Sequence, residues 1–134
     1  MEILKVKTEK RRLGDLGEKL AAKYLKKQGY KILERNYVAE GNEIDIIASR
    51  AELIAFVEVK TRSFKSGEAL SPAAAVTPEK QRKIIKTAKC YTAFACQDKL
   101  LRLDVIEVIL DGKKAKEINH IENAFNFNSA YKRG

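Results

Sequence analysis

A chain of 134 residues is long enough for one domain with its own core, and at about two-thirds of its unfolded surface buried it requires no disulfide or metal staple. Lys and Arg outnumber Asp and Glu by 27 to 18, a net charge of +9, which favours a polyanionic partner such as nucleic acid. The start MEILKVKTEKRR has no apolar signal core, and no apolar run is long enough to span a bilayer, so a soluble, cytoplasmic protein is expected. Cys90 and Cys96 stand six apart, a spacing that suits neither a zinc pair nor a CxxC redox motif, and they are expected to be buried, reduced thiols.

Residues 1–11 are polar and basic and are expected to be loosely held. Over 12–28, Leu13, Leu16, Leu20 and Tyr24 recur at helical spacing with Gly17, Ala21 and Leu25 beside them, which predicts a helix with one apolar face, stopped by Gly29. Glu18 lies at the margin of that stripe. Its neighbours one turn away are Gly14, Ala21 and Ala22, small enough to let another element approach and unable to pair with a carboxylate. A site acid and a solvated helix acid both remain open for Glu18.

Residues 30–38 predict a strand, and 39–42 a turn through Gly41-Asn42. The stretch EIDIIASRAELIAFVEVKTR then reads as a β-hairpin, with strands at 44–48 and 53–59 around a break at Arg50, Ala51 and Glu52. In the second strand Ile54, Phe56, Glu58 and Lys60 share one face, while Leu53, Ala55, Val57 and Val59 take the other. Apolar residues on both faces predict a central strand, which sets Glu58 and Lys60 close to a core. A turn centred between Ala51 and Glu52 places Asp45 opposite Glu58 and Glu43 opposite Lys60. Facing side chains have Cβ atoms about 4.5–5.5 Å apart, and two facing carboxylates repel unless a cation or a shared proton lies between them. A structural ion pair with Lys60 is the competing explanation.

The segment 63–77, rich in Ser, Gly, Ala and Pro, is expected to be a mobile loop beside this cluster. Thr77 and Pro78 then open a helix to about residue 95, with Ile84, Ile85, Ala88, Tyr91, Thr92 and Ala95 on its apolar side. Arg82, Lys83, Lys86 and Lys89 gather opposite, either along phosphates or as a solvated face. A strand over 100–110 and a turn at Asp111-Gly112 lead to a last strand at 115–121. Asp104 alternates with Arg102, which predicts a structural ion pair. The single histidine, His120, is expected to be structural or exposed, and residues 125–134 a loosely held tail.

The order helix, three strands, helix, strand, strand, with an acid on the first helix, an acid on the second strand and Glu-x-Lys on the third, resembles the PD-(D/E)xK nucleases. It is similar in particular to the bacterial YraN-like family, related in fold to archaeal Holliday-junction resolvases. The segments that carry the resemblance are GDLGEKLAAKYLKKQGYKILERN, EIDIIA, FVEVKTR, AVTPEKQRKI and LRLDVI. It implies one domain over 1–134 with an α/β, restriction-endonuclease-like three-layer fold, a mixed central sheet flanked by helices. It implies Glu18, Asp45 and Glu58 as metal-site carboxylates, Lys60 as the catalytic lysine, Mg²⁺ or Mn²⁺ as the ion, structured or branched DNA as substrate, and a homodimer. Nucleic-acid contacts are expected from Arg62, Lys80, Arg82, Lys83, Lys86 and Lys89. Two positions depart from the pattern: Ile44 stands where the superfamily's name has proline, and Asn42 adds a residue between Gly41 and Glu43. The alternatives are a nucleic-acid-binding protein that keeps the fold without turnover, and a basic scaffold for other proteins.

Overall fold

The computed structural model describes residues 8–66, 76–94 and 98–127. The element order is α1 (Glu9–Lys27), β1 (Lys31–Ala39), β2 (Asn42–Arg50), β3 (Leu53–Ser63), a short 3-10 turn (Phe64–Ser66), α2 (Pro78–Phe94), β4 (Leu100–Asp111) and β5 (Lys114–Phe125). The strands form one open sheet in the order β1-β2-β3-β4-β5. Only β3 and β4 run parallel; the other neighbours are antiparallel.

α1 begins one turn earlier than its apolar periodicity predicts, because the Thr8 hydroxyl accepts the Arg11 N–H at 3.1 Å and caps the helix there. It stops where Gly29 turns left-handed, at φ 90°. The Gly29 N–H then reaches the Lys26 carbonyl, and the Tyr30 N–H the Leu25 carbonyl, each at 3.0 Å, which is a Schellman ending. Thr77 caps α2 as expected, accepting the Lys80 N–H at 3.1 Å.

The two helices cover opposite faces of the sheet, giving three layers. Ala21, Ala22 and Leu25 of α1 pack with Ile46, Ala48, Ala55, Val57, Ile106 and Val108. Ile84, Ile85 and Ala88 of α2 pack with Ile47, Ile54, Phe56, Leu103 and Val105. The two sets separate β3 by residue parity, as the alternation predicts. α1 comes tight against the sheet at Gly17, where a Cβ would collide with the Thr61 side chain. That glycine, and not Gly14, whose position is open, sets the approach of the helix.

Several boundaries differ from expectation. Residues 8–11 belong to the capped start of α1, and 1–7 lie outside the described residues. β5 is longer than 115–121, and Phe125 is a buried member of it, so the tail starts later; 128–134 lie outside the described residues. The segment 63–77 begins as the end of β3 and a 3-10 turn, and Val76 is buried; 67–75 are not described. The first turn is Glu40-Gly41, not Gly41-Asn42. Both its residues have positive φ, 51° and 78°, as a type I′ hairpin turn requires. Among the described residues no helix is long and apolar enough to cross a membrane.

Candidate metal and nucleic-acid site

The β2–β3 hairpin has the expected register from Arg50 opposite Leu53 to Ile46 opposite Val57, and there the ladder ends. It does not extend to Glu43 and Lys60. Glu43 instead pairs across β1 with Val38, and Lys60 lies beside Glu107 of β4. The break is at Asp45. Ile44 packs on the α2 side, whereas Ile46, two residues on, packs on the α1 side, so the alternation slips by one across Asp45. Asn36, facing it on β1 between the Arg35–Ile46 and Tyr37–Ile44 pairs, is left-handed at φ 52°.

Freed from the ladder, the Asp45 side chain takes over a backbone role: its Oδ2 accepts the Val59 N–H at 2.8 Å. Val59 follows Glu58 directly, so this bond holds Asp45 near Glu58, close enough for the Glu58 charge to act on it. Burial, then the charge of Glu58, push the Asp45 carboxyl up to about 8, against the partial relief of the Val59 N–H. Glu58 is buried and faces two lysines: Lys60 Nζ lies 3.6 Å and Lys80 Nζ 3.9 Å from its Oε2. Lys80 comes from the first turn of α2. The sequence suggested it only as a nucleic-acid contact, and its approach to Glu58 depends on packing across the sheet.

Glu107 is the acid the sequence analysis missed. It is buried, and parallel pairing brings it beside Lys60. Its Oε2 accepts from Arg62 Nε at 2.7 Å and its Oε1 from Asn119 Nδ2 at 3.1 Å. Arg62 is thus fixed on the same strand as Glu58 and Lys60. An acid inside the apolar run VIEVIL is the signal that exposes Glu107, as for Glu58 within FVEVK.

Glu18 stands apart from the pair. It is half-buried beside Gly17, the contact point of α1, and it lines a polar cavity of about 380 Å³ with Arg11, Gly14, Asp15, Asn36 and Glu43. Burial, then Glu43, raise its carboxyl above the usual range; Arg35 opposes them, and Asp15 and Glu58 add to the rise. Among the described residues no three acidic, His or Cys side chains close into a ready metal cage. Asp45 lies near Glu58, and Glu18 acts on them through its charge.

The other nucleic-acid candidates lie on the outer face of α2. Arg82, Lys83, Lys86 and Lys89 are exposed. Lys83 reaches Glu79 at 3.5 Å and Lys86 reaches Glu40 at 3.7 Å, exposed pairs each contributing about 0–1 kcal/mol. Cys90, expected to be buried, is only half-buried, and its Sγ donates to Glu40 Oε2 at 3.6 Å. Cys96 lies outside the described residues.

These features define an open-sheet α/β protein with paired carboxylates and two lysines where its central hairpin parts. The profile of "Uncharacterised protein family UPF0102" matches residues 17–108, and the chain belongs to that family. It is 46% identical over 122 residues to a UPF0102 protein of Caldanaerobacter subterraneus subsp. tengcongensis, covering 89% of this chain and 98% of the relative. It is 48% identical over 114 residues to one from Geobacter metallireducens, covering 84% and 91%. A Trichlorobacter lovleyi relative is 49% identical over 119 residues, covering 84% and 89%. The matched segment contains Glu18, Asp45, Glu58, Lys60, Lys80 and Glu107.

Proposed function

We propose that this protein is a cytoplasmic, metal-dependent endonuclease of the PD-(D/E)xK type, hydrolysing phosphodiester bonds in structured or branched DNA. The observation that carries this is the approach of Asp45 to Glu58, with Asp45 Oδ2 on the neighbouring Val59 N–H at 2.8 Å and Lys60 Nζ 3.6 Å from Glu58.

The donor set fits Mg²⁺ or Mn²⁺. Such an ion takes oxygen ligands, keeps several waters and is commonly held by one or two carboxylates plus substrate phosphate. Asp45 and Glu58 would hold it, with Glu18 adding negative charge from the cavity rim. A closed three-ligand cage is not required. When bound, the ion polarises a phosphoryl oxygen and makes water more acidic. The residues of the chain do the rest. Asp45, tied to the Val59 N–H, is fixed in orientation. Lys60 keeps an ammonium beside Glu58 to stabilise negative charge as it builds on the phosphoryl oxygens. Arg62, held by Glu107, positions the phosphate backbone next to them. A homodimer of the resolvase kind would present two such sites to two strands.

One observation favours a second reading, a nucleic-acid-binding protein without turnover: Lys60 and Lys80 already neutralise Glu58. The test is cleavage of linear, flapped and four-way DNA with Mg²⁺, Mn²⁺ or EDTA. Cleavage that requires the ion and prefers a branched substrate is expected. A folded protein that binds these DNAs and cuts none of them with either ion overturns the nuclease.

A further inference from the structure

We infer that the groove between α1 and β1 is a track for a nucleic-acid backbone leading to the carboxylate site; this rests on the nucleic-acid reading above and extends it to a face other than α2. The groove has a volume of about 350 Å³ and is lined by Lys19, Ala22, Lys23 and Lys26 of α1 and by Ile32 and Arg35 of β1. Its four basic side chains are exposed, while Ala22 is buried and Ile32 half-buried beneath them. Lys19, Lys23 and Lys26 follow one another at helical spacings of four and three, so they form one row. None of these three lysines has an ion pair among the described residues. The basic face of α2 differs, since Lys83 and Lys86 already contact acids.

Length and direction agree with that occupant. At about 1.5 Å per residue the lysine row extends about 10 Å, or about three phosphates of one strand at about 3.4 Å each. The row also points at the site. Lys19 adjoins Glu18 and Arg35 adjoins Asn36, and Glu18 and Asn36 line the acidic cavity. Arg35 is close enough for its charge to act on Glu18. A polyanion laid along the lysines therefore arrives at the rim where Glu18 and Glu43 stand, and Glu18 is within range of the charges of Asp45 and Glu58.

The test measures binding of the full chain to a fluorescein-labelled four-way DNA junction and a linear duplex across a salt series in EDTA, so that cleavage plays no part. Reversing the row (K19E/K23E/K26E) is expected to weaken binding and flatten the dependence of log K on log salt by about 0.9 for each lost contact, about 3 in all. The neutral set K19Q/K23Q/K26Q, checked by thermal melting, is expected to reproduce the flatter slope in a folded protein. K83E/K86E/K89E removes as many charges from α2 for comparison. Unchanged affinity and slope in both groove variants overturns the track, as does a wild-type chain that binds neither DNA. The nuclease reading fails separately: loss of slope in the groove variants together with no Mg²⁺-dependent cleavage by the wild type leaves the track standing and removes the enzyme.

Discussion

Asp104 and Asp45 are both aspartates drawn into the same sheet, and their surroundings treat them in opposite ways. Asp104, on β4, is fully buried. Arg102 donates to both its oxygens at 2.8 Å, His120 Nε2 lies 2.7 Å from Oδ2, and the Asn123 N–H reaches Oδ1 at 3.0 Å. Burial alone would raise its carboxyl, but the hydrogen bonds from His120, Arg102 and Asn123, with the Arg102 charge, hold it below the usual range. Asp45 has one backbone donor and another carboxylate for company, and its carboxyl rises to about 8. Burial is common to both; what differs is whether cations and donors inside the chain complete the charge. Asp104 is a finished structural anchor, extended by Arg102 to the Tyr30 hydroxyl at 2.6 Å. The Asp45–Glu58 pair has no such completion at Asp45, and that is where the proposed function puts a cation from outside.

Four experiments test that contrast, in descending order of effect. Lys60→Ala is expected to slow single-turnover cleavage by about 10²–10⁴-fold with little change in DNA affinity, the signature of a group acting in the transition state. Wild-type rates in the folded variant would return Lys60 to a charge-balancing role. Next, Asp104→Ala is expected to destabilise the fold by about 3–5 kcal/mol, because Arg102, His120 and the Asn123 N–H all lose the buried carboxylate they share. Asp45→Ala is expected to leave stability in urea unchanged or increased. Equal losses in the two variants would erase the distinction between anchor and site.

The third experiment is a titration. Folded Asp45 keeps its proton to about pH 8, whereas an ordinary aspartate releases it near 3.8. The folded state therefore binds the extra proton between those values, and metal-free stability falls as pH rises through that window, by at most about 1.4 kcal/mol per pH unit. Asp45→Asn is expected to remove this decline in thermal melts. Mg²⁺ must displace the same proton, so its affinity is expected to rise with pH up to about 8, by up to tenfold per unit. A pH-independent Mg²⁺ affinity in calorimetry would place the ion elsewhere. The smallest effect is that of Glu107→Gln, expected to weaken DNA binding by about 1 kcal/mol as Arg62 loses a charged partner. Unchanged binding would make the Arg62–Glu107 pair purely structural.

Much of this was legible in the sequence because β-alternation and helix caps are local. The faces of β3, the Thr77 cap, the Gly29 stop and the Arg102–Asp104 pair all follow from residues a few positions apart. The site was harder. The hairpin register, extended by one step, brings Asp45 to Glu58, but alternation does not encode the slip at Asp45 or the left-handed Asn36 across from it. Lys80 and Glu107 reach the cluster through packing and parallel pairing, relations that residue spacing does not carry. His120 was open between structural and exposed, and only the fold seats it against Asp104 and, at 3.3 Å, the Tyr24 hydroxyl.

The parallel seam between β3 and β4 also sets an order on assembly. Every pair along it, from Leu53 with Leu100 to Ser63 with Leu110, closes a loop of the same length. The β1–β2–β3 meander closes only short hairpins, which form in about 1–10 μs, while distant pairings bear their loop-closure entropy before their contacts return it. Asp45, Glu58 and Lys60 all lie in the fast, local half of the sheet, and Arg102, Asp104 and Glu107 in the half that must be brought to it. The opposed acids can thus meet before the strand that carries the anchor has docked, and a divalent cation present during folding would relieve their repulsion at that stage.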